Sequence, residues 1–362
     1  MRVSTDFAGG NGMGFETAGD HIRFRADSRG GTAAMWFHFR VENPGCDILR
    51  CEQIHDEAFL GPLAGDIVRP VYRVTGDSWK RVDGSAYDES AGIFSFSVPC
   101  HGNDVEIAFC YPYQIEDWHQ FSQRVLTPAG GRTVPLGRSA RGRTLFAGEV
   151  GDGPHTILLT ARAHAGETPA SYTLEGLVRR LCEVRARGLA LRIIPFLDMD
   201  GVVEGMYSKL RSPVDFYMDW DNTMHPEITQ YKSYIDQLPQ PPVVAVDCHA
   251  PLAYHPHFLS HTVGSATPAE FRARMADMVH RLRRGCDGLP ATRLSPDLTG
   301  EHPDWYVDLR FESSLPGFLQ TKYGTLAVTL EAAYHCTHEG VVVEPDDWRA
   351  LGSAVAEAIA EV

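Results

Sequence analysis

From about residue 154 onward, strand-like apolar runs alternate with helical stretches, and few architectures accept that order. His155-Thr156-Ile157-Leu158-Leu159-Thr160 precedes a helix candidate over residues 172–187. Residues 190–196 and 243–247 form two more apolar strand candidates, and a last helix over about 344–360 closes the segment. Alternating strands and helices predict a mixed, mostly parallel sheet with helices on its faces, an α/β/α domain. Parallel strands covered on both faces carry near-continuous apolar runs, as these do.

Residues from about 35 to 113 follow a different pattern. Four short strand candidates, 36–41, 71–74, 93–98 and 105–109, are separated by Gly, Pro, Asn and Asp. That pattern predicts an antiparallel β-sandwich ahead of the α/β domain. Residues 123–143, rich in Gly, Arg, Thr and Pro, read as a connector. The expected division is 1–122 for the sandwich and 123–362 for the α/β domain.

Composition narrows the class of function. Apolar residues make up 43% of the chain and charged residues 22%, the balance of an ordinary globular protein. A formal net charge of −14 disfavours nucleic acid as a partner, because phosphate binding needs clustered Lys and Arg. No apolar run approaches the roughly 20 residues that span a bilayer, so no membrane partner is expected. The first residues carry no signal-peptide pattern, and a cytoplasmic location is the expectation. Eight cysteines without a CxxC pair predict reduced, mostly buried thiols. Oligomeric state is not legible.

In open α/β sheets, functional groups gather at the carboxyl ends of the strands. Three such ends here carry metal-type or acid–base side chains. His164-Ala165-Gly166-Glu167 follows the first strand and can bring an imidazole and a carboxylate to one cation. Gly166 is expected to permit the tight bend between them. His249 follows the 243–247 strand, and Cys248, pointing to the opposite face, is assigned to the core. Each motif alone arises often by chance. Together they make a His2Glu set, the type that holds zinc with one position open for water. Glu331 ends a further apolar run, 326–331, where a carboxylate could take a proton from water and pass it to a leaving amine.

His164-Ala165-Gly166-Glu167-Thr168 resembles the HPGET motif of the zinc carboxypeptidases of family M14, cytosolic carboxypeptidase-like subgroup. Asp198-Met199-Asp200-Gly201-Val202-Val203-Glu204-Gly205 resembles that subgroup's NPDGVxxG stretch. Val246-Asp247-Cys248-His249 and Thr329-Leu330-Glu331-Ala332 are similar to the strands bearing its third ligand and its catalytic glutamate. Phe109-Cys110-Tyr111-Pro112-Tyr113 is similar to the close of its small β-sandwich. The resemblance implies Zn2+ as cofactor, His164, Glu167 and His249 as ligands, Glu331 as general base, and Asp215 orienting His164. It makes residues 123–362 the catalytic domain, acting on a small peptide or amide.

One departure from the family pattern bears on substrate. The Asn-Arg pair that grips a terminal carboxylate in the family is replaced by Tyr217 and Met218, and methionine cannot make a charge-assisted pair. The family's oxyanion arginine would fall near Ser208, with Lys209 or Arg211 as substitutes. Asp219 and Asp221 add negative charge nearby, and Tyr254, His255, His257, Tyr306 and Arg310 are further candidates for lining the cleft. The main expectation is a metallocarboxypeptidase-like hydrolase with atypical substrate recognition. A zinc amidase or deacylase on a small non-peptide metabolite is the second, and an inactive binding protein, which retention of Glu331 disfavours, is the third.

Overall fold

The computed structural model describes residues 1–31, 34–54, 67–184, 188–261, 267–301 and 313–360. The N-terminal strands form two five-stranded sheets. One runs Arg2–Ser4, His38–Glu42, Val105–Ala108, Val71–Val74, Lys80–Arg81, with every pairing antiparallel. The other runs Met13–Ala18, His21–Arg25, Ile48–Ile54, Ile93–Pro99, Ser85–Asp88. Here His21–Arg25 pairs with Ile48–Ile54 in parallel, so the sandwich is antiparallel except at that one ladder. Phenylalanines fill the space between the sheets: Phe24 meets Phe39 at 4.8 Å and Phe37 meets Phe96 at 6.0 Å. Offset and edge-on rings at these distances add to plain apolar burial.

The larger sheet has eight strands. In spatial order they are Arg132–Arg138, Thr144–Val150, Leu189–Ile194, His155–Ala161, Pro242–His249, Leu326–Glu331, Phe258–His261 and Gly300–Glu301. The four central strands are parallel to one another, while Thr144–Val150 and Phe258–His261 join them antiparallel. The expected mixed, mostly parallel sheet is what forms. Central strands such as His155–Ala161 are buried at all but their first residue, which is why they read as unbroken apolar runs.

The expected connector is corrected. Its start belongs to the helix Ile115–Arg124, and Arg132–Arg138 is the edge strand of the large sheet. A Gly- and Pro-containing edge strand with a bulge between Pro135 and Gly137 looks like loop in sequence because it lacks an apolar run. The helix expected from residue 172 begins at Thr168, directly after Glu167, with Pro169 in its first turn, where a missing N–H costs nothing. This helix, Thr168–Val184, crosses Pro345–Ile359 closely. A Cβ on Gly176 or Gly352 would lie 2.0 Å from the facing carbonyl of Arg349 or Thr173. All eight cysteines are free thiols, five of them buried, Cys248 among the core residues. Among the described residues no helix is long and apolar enough to cross a membrane.

Candidate metal centre

Parallel register brings the critical strand ends to one edge. Ala161 lies opposite Cys248, and His249 opposite Glu331. After Ala161 the chain turns sharply at Arg162, which has a left-handed φ of 62°. Its fully buried guanidinium bonds the carbonyls of Ala165 and Tyr113 and the Ser171 hydroxyl, and so shapes the loop that carries His164 and Glu167. Gly166 in that loop is required for space rather than for an unusual φ: a Cβ there would sit 2.7 Å from the Tyr207 ring and 3.2 Å from Cβ of Trp36.

Donor atoms of His164, Glu167 and His249 lie within 4.8 Å of one another, all three residues buried. His164 Nδ1 is 2.8 Å from Glu167 Oε1, His249 Nδ1 is 2.9 Å from Oε2, and the two Nδ1 atoms are 3.3 Å apart. Each outer nitrogen meets a carboxylate: His164 Nε2 lies 3.0 Å from Asp215, and His249 Nε2 lies 2.9 Å from Asp247. A proton on each outer nitrogen leaves two inward lone pairs facing a carboxylate, an arrangement of acceptors that only a cation or added protons can satisfy. The charge balance carries the same message. Burial opposes a charge on His164, yet Asp215 and Glu167 raise its pKa to about 9. His249 is likewise raised by Asp247 and Glu167 against burial. Burial pushes the Glu167 pKa up, but His164, Lys209 and His249 together pull it far below the ordinary range. Two imidazole nitrogens and one carboxylate are a donor set that fits zinc.

Glu331 completes the edge. One of its carboxylate oxygens is buried without a hydrogen-bond partner. Burial raises its pKa, with the positive side of His249 opposing. Lys209 Nζ lies 2.8 Å from Glu167 Oε1 and 3.5 Å from the Ala250 carbonyl. Lys209 and Glu331 both face a cavity of about 520 Å³.

Known proteins are similar to the chain in sequence and in fold. The chain is 26% identical over 261 residues to cytosolic carboxypeptidase 6 of Caenorhabditis elegans, covering 62% of this chain and 56% of that protein. A shorter stretch of 105 residues is 33% identical to cytosolic carboxypeptidase 1 of Xenopus laevis, 26% of this chain and 9% of that protein. The chain thus spans about half the length of the first relative and a small part of the second. No family model matches it. Among solved structures, a metallo-carboxypeptidase from Burkholderia cenocepacia superposes with a TM-score of 0.81 at 18% identity, covering 99% of this chain and 98% of that one. A Pseudomonas aeruginosa metallo-carboxypeptidase, solved with (2-guanidinoethylmercapto)succinic acid, gives 0.80 at 21% identity, covering 100% and 98%. The chain is similar in sequence to cytosolic carboxypeptidases and has the fold of metallo-carboxypeptidases.

The other expected site residues divide. Asp215 sits beside His164 and also accepts from the backbone N–H groups of Tyr217 and Leu210. Tyr217 is buried, its ring 5.1 Å from that of His249 and its hydroxyl 3.5 Å from Thr329 Oγ1. Met218 packs partly buried against the core. Tyr254 and His255 line the cavity.

Three expectations are corrected. Asp219 is fully buried, its oxygens accepting from the N–H groups of Met224 and His225, so it braces a loop and does not face the cleft. Arg211 pairs with buried Asp198 at 3.0 Å, and Ser208 donates to the same carboxylate. His257 is buried between the Ala291 carbonyl and the Ala333 N–H. Asp221 is exposed and accepts from the adjacent Asn222 side chain. Tyr306 and Arg310 lie outside the described residues.

Asp247 was missed. A strand places residues i and i+2 on one face, so the Asp247-Cys248-His249 spacing already aims Asp247 and His249 the same way. The second Asp247 oxygen accepts from Thr160 Oγ1 at 2.6 Å, which leaves the carboxylate no freedom to turn from the imidazole. Carboxylates behind metal-ligating histidines fix the tautomer and raise basicity. Asp247→Asn is therefore expected to weaken zinc binding by about 10–100-fold, measured by competition with a chromophoric chelator. An unchanged affinity would show that Asp247 serves only the sheet.

Proposed function

We propose that the chain is a zinc-dependent, metallocarboxypeptidase-like hydrolase of amide bonds. The observation that carries this reading is one edge of one sheet: three converging donors, each imidazole backed by a carboxylate, with an unpartnered Glu331 oxygen one strand away. His164, Glu167 and His249 would hold the metal. A zinc ion there supplies a Lewis acid that polarises the scissile carbonyl and acidifies the attacking water.

The chain's own groups do the rest. Glu331 takes the proton from the water and delivers it to the departing amine, a task suited to a carboxyl group whose pKa burial has raised. Lys209, facing the same cavity, supplies positive charge to the developing oxyanion, the place the family gives to an arginine. Asp215 and Asp247 hold the two imidazoles in register. The sandwich (1–122) would buttress the catalytic domain (123–362), as Trp36 packed beneath Gly166 suggests for the metal-bearing loop.

Tyr217 favours the amidase or deacylase as a second reading, because a ring packed on His249 and bonded to Thr329 offers no grip for a terminal carboxylate. The test uses metal-loaded protein and matched peptides with free and amidated ends. One zinc per chain is expected, with hydrolysis lost on chelation and no strong preference for the free acid. Absence of stoichiometric zinc would overturn the hydrolase, and a strong preference for the free acid would restore ordinary carboxypeptidase recognition.

A further inference from the structure

Of the eight free thiols, two touch far from the metal centre. Cys46 Sγ lies 3.9 Å from Cys100 Sγ, which is van der Waals contact between sulfurs. The backbone holds them there. Ile48–Ile54 pairs antiparallel with Ile93–Pro99, with Ile48 opposite Pro99, and the two cysteines stand just beyond that end of the ladder. The Asp47 carbonyl accepts from the N–H groups of Cys100 and His101, and the Cys46 carbonyl accepts from the Gly102 N–H. The Cys100 thiol itself donates to the Cys46 carbonyl at 3.0 Å, which keeps its sulfur turned toward Cys46.

The two sulfurs differ in access. Cys100 is fully buried, while Cys46 is half-buried between exposed Gly45 and Asp47. A disulfide needs its sulfurs about 2.05 Å apart. The remaining gap is within reach of a rotamer change at Cys46, on the solvent side of the pair. Desolvation and the adjacent Cys100 thiol push the Cys46 pKa up to about 11, so the pair rests protonated near pH 7 and reacts slowly.

We propose that Cys46 and Cys100 form a dithiol modification site, which peroxide converts to a disulfide that staples the sandwich. Cys46, as thiolate, attacks one peroxide oxygen; the O–O bond breaks, leaving a sulfenic acid, and the departing hydroxide takes up the thiol's proton as water. Cys100 Sγ then attacks the Cys46 sulfur. The S–S bond forms as the S–O bond breaks, and the hydroxide leaves with the Cys100 proton as a second water. Two thiols lose two electrons, and one peroxide becomes two waters. The span enclosed by the bond carries Arg81, whose guanidinium donates to the Tyr334 and Val343 carbonyls of the α/β domain. The staple therefore restrains the part of the sandwich that docks there.

The experiment treats the full chain with excess hydrogen peroxide, blocks remaining thiols with iodoacetamide, and maps the unreduced digest by mass spectrometry. The thiol count should fall by two from eight, with Cys46 and Cys100 in one cross-linked peptide pair that dithiothreitol separates. The closed loop should raise the melting temperature by about 5 °C. In Cys46→Ser, a change on the solvent side, both the loss of two thiols and the shift should vanish. A bond from either cysteine to core Cys51, sulfinic acid at Cys46 without a cross-link, or eight unreacted thiols would overturn the site. A cross-link that leaves the melt unmoved would overturn the staple.

Discussion

Glu331→Gln should reduce kcat by about 10²–10⁴-fold, the contribution of a positioned general base, while zinc content stays at one per chain. The substitution keeps the shape of the side chain and removes only its ability to accept a proton. Glu331 lies in register with His249 but is separate from the three converging donors, so metal uptake does not depend on it. Folding should also survive. Burial already disfavours the charged form of Glu331, and a neutral amide at the same place removes that cost. The measurements are steady-state kinetics, metal analysis and a thermal melt. Full activity in this variant would remove Glu331 from the mechanism, and loss of zinc would mean that the carboxylate belongs to the donor set.

Lys209→Met should lower kcat by about 10²–10³-fold, as expected for a lost oxyanion donor, with KM changed much less. Two residues in left-handed conformation flank Lys209, Ser208 at φ 71° and Leu210 at φ 55°. Such conformations are costly for side chains with a Cβ and persist where the surroundings hold them. Here the holders are visible: Ser208 donates to Asp198, and the Leu210 N–H donates to Asp215. These bonds fix the backbone on both sides of Lys209, whose ammonium lies beside Glu167 and at the cavity wall. Lys209→Arg should recover part of the lost rate, because charge at that place is what matters. A variant whose KM rises while kcat holds would make Lys209 a ground-state binder instead.

Much of the fold was legible because the relevant patterns are local. The strand candidate at residues 71–74 coincides with Val71–Val74, since its alternation is set by neighbours two apart. The N-terminal strands Arg2–Ser4, Met13–Ala18 and His21–Arg25 were not expected. Met13–Ala18 is mostly exposed and carries no buried face to announce it. Arg132–Arg138 escaped for the same reason, as an edge strand without a hydrophobic run.

The residue types and order of the candidate centre were legible too, because His164 and Glu167 lie three residues apart and His249 and Glu331 end apolar runs. What stood around them was not. Lys209, Arg211 and Asp219 look equivalent as charged residues on one loop, yet of the three Lys209 faces the cavity, while Arg211 pairs with the Asp198 carboxylate and Asp219 holds two backbone N–H groups. Their fates depend on which buried carboxylate or N–H lies across the fold, a matter of contacts between distant segments. A His2Glu set and a carboxyl group at the close of apolar runs can be read from the residues alone. That they share one edge, with Asp215 and Asp247 behind the imidazoles, emerges only once the chain is folded. Parallel register and long-range packing decide such meetings, and neither is written in any local spacing.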